Sequence, residues 1–132
     1  KGSNGVGYKA YPYRLIEKFI EKSWENGIDV FRIFDSLNWV NAMAPSIEYV
    51  RNKTGGLAEA AISYTGDILD VKNTKYSLKY YTRLVKDLEN AGAHIIAIKD
   101  MAGLLTPYAA TELITALKDT VKLPLHLHTH DT

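Results

Sequence analysis

The sequence predicts an α/β fold built on a parallel sheet, and three observations lead there. Helical and strand periodicities alternate along the chain in the order αβαβαβαβ. The strand centres recur near residues 30, 60, 96 and 127. The third strand carries a continuous apolar run, Ile95-Ile96-Ala97-Ile98, of the kind buried on both faces of a parallel sheet. Alternation at this period implies right-handed crossovers between parallel strands.

Each element has a local reason. Leu15, Ile16, Phe19, Ile20 and Trp24 recur at helical spacing, with Pro12 suited to the first turn and Gly27 just past the end. Ile28–Phe34 is short, β-branched and aromatic, and predicts a strand. Val40, Met43, Ile47 and Val50 form a second helical stripe stopped by Gly55-Gly56, and Leu57–Tyr64 a second strand. Thr65–Lys75 is a polar loop. Leu78, Tyr81, Val85 and Leu88 mark a third helix ended by Gly92, before a strand at His94–Ile98. Thr106-Pro107 supplies a cap and a first-turn proline for the helix carrying Ala110, Leu113, Ile114, Leu117 and Val121. Leu125–His130 is the fourth strand.

Two folds fit this order, a doubly wound sheet and a (β/α)8 barrel. A whole barrel needs ~250 residues, so 132 residues make about half of one, and a flavodoxin-like sheet fits the length better. The chain opens on a loop-like stretch and stops on strand-end residues, which is expected of a cut-out piece.

Composition narrows the function classes. Hydrophobic residues make up 46% and charged residues 23%, a globular balance. Sixteen basic and 15 acidic residues leave +1, so overall charge gives no support for a nucleic-acid partner. There is no cysteine, which excludes disulfides and thiolate chemistry. No apolar run approaches the ~20 residues of a membrane span, and Lys1–Gly5 lacks the apolar core of a secretory signal.

The chemistry-bearing residues gather at predicted strand ends. His126, His128 and His130 alternate on the fourth strand, so all three project to one face with ~6.6 Å between neighbours. Two readings fit: imidazoles converging on one divalent ion, or a hydrogen-bonded polar layer without metal. Lys99 and Asp100 end the third strand. Lys99 is either an ordinary lysine, paired with Asp100 or solvated, or a functional amine, and carboxylation by CO2 would turn it into an anionic oxygen ligand. Asp35 and Asp67 follow the first two strands, where a barrel places catalytic groups, and each is equally a turn or cap residue. Arg32 lies mid-strand and is expected to be buried with a partner. Gly2–Gly7 is glycine-rich but fails the spacing of a nucleotide-binding loop.

Five stretches carry a resemblance: Gly2–Tyr8, Asp29–Trp39, Tyr64–Leu69, Ile98–Leu105 and His126–Thr132. Together they resemble the carboxyltransferase domain of the pyruvate carboxylase family. The resemblance covers residues 1–132 and implies that the chain is a fragment of that domain: a partial (β/α)8 TIM barrel, about half of it, with four parallel strands alternating with helices.

In that family a carboxyl group passes from carboxybiotin to pyruvate, making oxaloacetate. The resemblance implies a divalent metal, zinc or manganese, held by His128, His130 and Lys99 as its carbamate, with an aspartate from a strand this chain does not contain. His126 has no ligand role by the resemblance. Tyr8 would lie by the substrate and biotin pocket, and Lys1 stands where the family has a substrate-gripping arginine. Lysine cannot offer the same bidentate fork. The expected partners are pyruvate, carboxybiotin, the remaining barrel, and the biotin carboxylase and biotin carrier domains of a homo-oligomeric, tetrameric parent in the cytoplasm or mitochondrial matrix. No nucleic acid and no membrane are expected. The related oxaloacetate decarboxylase and transcarboxylase subunits share the lysine and the histidine pair. Ser36–Trp39 and Thr65–Asp67 look more like pyruvate carboxylase. As an isolated half barrel with open sheet edges, the chain is expected to be marginally stable and inactive.

Overall fold

The computed structural model describes residues 2–130. Four helices and four strands alternate: α1 (Tyr13–Glu25), β1 (Val30–Phe34), α2 (Val40–Lys53), β2 (Leu57–Ser63), α3 (Leu78–Asn90), β3 (Ile95–Asp100), α4 (Pro107–Thr120) and β4 (Leu125–Thr129).

The boundaries follow local chemistry. Thr106 Oγ1 accepts the Ala109 amide at 3.3 Å, and Pro107 occupies the first helical position of α4. Ser77 does the same for α3 by accepting the Tyr80 amide. Pro12 is the residue before α1 rather than part of its first turn, held extended at φ −57°, ψ 141°. Gly27 ends α1 in the left-handed region at φ +96°, where the Ile28 amide reaches back to the Ser23 carbonyl. α2 stops differently from the expectation. Extended Thr54 ends it, with Oγ1 donating to the Val50 carbonyl at 2.6 Å. Gly56 serves close packing instead, because a Cβ there would lie 3.0 Å from the Asp29 carbonyl oxygen. β1 begins two residues later than predicted: Ile28 is exposed, while the Asp29 carbonyl already accepts from Leu57.

All strand pairs are parallel and lie in the order β1-β2-β3-β4. That order corrects the length argument for a flavodoxin-like sheet. A doubly wound sheet reverses direction at a switch point and carries helices on both faces. Here each crossover advances the same way along the sheet. The helices therefore pack side by side, α1 on α2, α2 on α3 and α3 on α4. The result is a half-barrel wall, matching the predicted partial (β/α)8 architecture.

Register and alternation sort the strand residues onto two faces. Phe31, Ile33, Ala58, Ala60, Ile62, Ile96 and Ile98 face the helices and join Ile20, Met43, Ile47, Val50, Tyr81, Val85, Leu88, Leu113 and Leu117 in the core. Each such large apolar side chain contributes roughly 1.5–3 kcal/mol on full burial. The concave face is different in kind. Arg32, Phe34, Glu59, Ala61, Ser63, Ala97, Lys99, His126 and His128 share it. Charged and imidazole groups thus line the barrel interior, and apolar groups line the helix side.

Candidate functional site

The strand ends bring Lys99 and His128 together. They are register partners on β3 and β4, on the concave face. His130 follows, its amide bonded to the Asp100 carbonyl at 3.0 Å, which extends the ladder one residue past β4. The His128 and His130 rings meet edge to face with centroids 4.9 Å apart. Burial pushes the His128 imidazole below its usual pKa, and the Arg32 cation, His130 and Lys99 add to this. A neutral imidazole keeps a lone pair for a metal ion.

Lys99 does not pair with Asp100, because neighbours on a strand point to opposite faces. Asp100 is fully buried on the helix side, where it accepts the amides of Leu104 and Leu105, each at 2.9 Å, and the Thr129 hydroxyl at 3.1 Å. The Lys99 ammonium lies 5.1 Å from the centroid of the Phe34 ring. This leaves the amine half-buried over an aromatic face.

Phe34 also connects Lys99 to the glycine-rich loop. The Ser3 amide bonds the Phe34 carbonyl at 2.8 Å, and Ser3 Oγ donates to Asp35 Oδ1 at 2.9 Å. Gly2–Tyr8 then lines a cleft of about 790 Å3 with Phe34, Asp35 and Ser36. Tyr8 is fully exposed in it. Asp35 has a turn role: its Oδ2 accepts the amides of Leu37 and Trp39 at 2.9 and 3.1 Å. Asp67 does likewise for Leu69 at 2.9 Å. Lys1 lies outside the described residues.

The expected partner of Arg32 is Glu59, a buried carboxylate contacted by Arg32 Nε at 2.7 Å. His126 Nδ1 lies 2.6 Å from the other oxygen of Glu59 and 2.9 Å from Arg32 Nη2. His126 thus takes the hydrogen-bonded polar role. Burial raises the Glu59 pKa, but the hydrogen bonds from Arg32 and His126 outweigh it and hold the carboxyl below its ordinary value. Glu59 was missed from sequence. The signal was present: an acid in the middle of Leu57-Ala58-Glu59-Ala60-Ala61-Ile62, two strands of mid-strand charge side by side.

Among the described residues, no three His, Asp or Glu side chains converge as a metal-holding group. The His128–His130 pair supplies two nitrogen donors, and Lys99 beside them would supply an oxygen as its carbamate. That mixed nitrogen and oxygen set suits a borderline divalent ion. No helix among the described residues is long and apolar enough to cross a membrane.

Comparison with known proteins places this arrangement. The family described as HMGL-like matches residues 17–132. The chain belongs to the HMGL-like family. Over its full length this HMGL-like chain is 62% identical to a pyruvate carboxylase of Bacillus subtilis (strain 168), of which it covers 11%. It is 55% identical to the mitochondrial pyruvate carboxylase of Rattus norvegicus, again covering 11%. It superposes on the carboxyl transferase domain of Rhizobium etli pyruvate carboxylase with pyruvate and biocytin at a TM-score of 0.96 and 54% identity, covering 100% of this chain and 22% of that one. The HMGL-like chain therefore spans about a tenth of the length of the curated relatives it matches. The similarity expected from five motifs extends over the whole sequence.

Proposed function

We propose that residues 1–132 are part of the carboxyltransferase domain of a pyruvate carboxylase and serve carboxyl transfer from carboxybiotin to pyruvate, yielding oxaloacetate. One observation carries the reading: Lys99 and His128 are paired at adjacent strand ends, with His130 against His128, in a chain similar over its whole length to pyruvate carboxylases.

The residues have distinct tasks. His128 and His130 would hold a divalent ion, zinc or manganese, through their ring lone pairs. Lys99 would add its amine to CO2, forming an N–C bond and releasing a proton, and so supply a carbamate oxygen beside that pair. When bound, the ion supplies Lewis-acid chemistry that favours negative charge on the substrate oxygen. The Phe34 ring, its centroid 5.1 Å from the Lys99 ammonium, helps to hold that side chain at the concave face. Tyr8 borders the cleft lined by Gly2–Gly7, Phe34 and Asp35, and this reading assigns that cleft to pyruvate and biotin. Lys1 is assigned to binding the pyruvate carboxylate, for which an ammonium offers no bidentate fork like that of arginine.

This assigns the chain partners of definite kinds. The remaining strands complete the barrel, and biotin carboxylase and biotin carrier domains supply carboxybiotin within a tetrameric parent. The relatives include bacterial and mitochondrial enzymes, so the compartment is the cytosol or the mitochondrial matrix.

The test is made on the native polypeptide carrying this sequence. Its intact mass and a streptavidin blot are taken with an assay for ATP- and pyruvate-dependent fixation of bicarbonate. A large biotinylated chain that forms oxaloacetate is the expected result. A smaller polypeptide lacking the ATP-dependent step, active only in oxaloacetate decarboxylation or transcarboxylation, would replace the reading with the related subunit class.

A further inference from the structure

The glycine-rich loop Gly2–Tyr8 lies outside the four helices and four strands, yet it walls the cleft with Phe34 and Asp35. Gly5 sits in the left-handed region at φ +106°, and Tyr8 is fully exposed. Gly5 and Gly7 pass so close to Tyr11 that a Cβ on either would lie 3.0 or 2.9 Å from its side chain. At its start the loop is tied to the end of β1. The Ser3 amide donates to the Phe34 carbonyl at 2.8 Å, and the buried Ser3 hydroxyl donates to Asp35 Oδ1 at 2.9 Å.

Asp35 divides its two oxygens. Oδ1 takes the loop, and Oδ2 takes the amides of Leu37 and Trp39 at 2.9 and 3.1 Å. The turn so braced is itself fixed on β2. Asn38 is buried at φ +56°. Its Oδ1 accepts the Ser63 amide at 2.7 Å, and its Nδ2 donates to the Ser63 carbonyl at 2.9 Å. It pairs with Ser63 as a strand residue would, and asparagine tolerates that left-handed backbone better than most residues. Ser63 is the register partner of Lys99. Bonds therefore run from the strand beside Lys99, through Asn38, the turn and Asp35, to the loop.

We infer that Asp35 is a positioning residue: through Ser3 it holds the glycine-rich loop, and with it Tyr8, at a fixed place beside the strand ends. This rests on the reading that the cleft bordered by Tyr8 takes pyruvate and biotin. Displacing a group by about 1 Å from its productive geometry can cost about 100-fold in rate.

The test uses the intact full-length protein with covalent biotin. Ser3→Ala, Asp35→Ala, Asp35→Asn, Tyr8→Ala and the double variant Ser3→Ala/Tyr8→Ala are compared with the parent in pyruvate-dependent carboxylation. Hydrogen exchange over residues 2–11 reads the loop directly, and the melting temperature is the folding control. Ser3→Ala and Asp35→Ala should exchange faster in the loop and lose about 10- to 100-fold in kcat. The double variant should be no slower than Tyr8→Ala, because both changes act through the same ring. Asp35→Asn should recover most of the loss, since its oxygen keeps the turn amides while its NH2 donates to Ser3 Oγ. Should Asp35→Ala fail to fold, Ser3→Ala, which leaves the turn intact, decides alone. Parent-like loop exchange and kcat in Ser3→Ala, with turnover lost in Tyr8→Ala, would overturn the positioning role and leave the cleft reading standing. Losses that add in the double variant would overturn it too, because Ser3 would then act apart from Tyr8. Full turnover in Tyr8→Ala would instead overturn the cleft reading itself.

Discussion

The carboxylate of Asp100, on the helix side of β3, accepts the hydroxyl of Thr129 on β4 at 3.1 Å. The same group holds the amides of Leu104 and Leu105 at 2.9 Å each, so one fully buried side chain ties two strands to the loop that enters α4. Asp100→Ala should destabilise the barrel by roughly 2–4 kcal/mol, because donors aimed at a charged acceptor lose it together. Asp100→Asn keeps an acceptor oxygen and should lose less. Thermal unfolding of the intact protein reads both. Equal melting temperatures for parent and Asp100→Ala would mean that the loop has other anchors.

Lys99→Arg tests the neighbouring residue on the other face. Arginine keeps the positive charge but cannot form a carbamate, so the proposed oxygen donor disappears. Carboxyl transfer should fall by at least about 100-fold, equivalent to roughly 2.7 kcal/mol of lost stabilisation. Retained turnover would return Lys99 to the ordinary strand-end lysines.

His94 gives the fold an acid-sensitive joint. Its Nδ1 accepts the Ala58 amide at 3.0 Å, which requires the lone pair of the neutral ring. Burial, then the Arg51 cation, pushes its pKa below the ordinary 6.5. The unfolded chain therefore takes up the proton first as pH falls. Stability is complete above about 6.5 and declines as pH drops from there toward the folded-state pKa. His128, also shifted down, acts in the same direction. His94→Gln should flatten the fall in melting temperature between about pH 7.5 and 5.5. An unchanged slope would show that the ring charges without breaking the Ala58 contact.

Much of this molecule was legible along the chain. Thr106-Pro107 and Gly27 mark helix ends through local backbone chemistry alone. The Ile95–Ile98 run announced a strand covered on both sides, and Ile96, Ala97 and Ile98 are fully buried. The alternating His126, His128 and His130 could be assigned to one face because a strand has a period of two. Gly55-Gly56 misled, since a glycine pair reads as a helix stop whether it serves a left-handed turn or a close approach to Asp29.

Through local spacing and alternation, then, the sequence by itself determined the order of elements, the facing of the histidines and the motifs that carry the family resemblance. Only the tertiary structure decided which groups meet across strands. It seated Lys99 over Phe34 rather than beside Asp100 and engaged Asp35 in a turn. It carried Arg32 across two strands to His126 and His128. These contacts depend on sheet curvature and on the small residues between, quantities set by how strands 27 to 36 residues apart in the chain are paired. No local pattern contains them, because neither the register of a parallel sheet nor the closure of its wall is written within one strand.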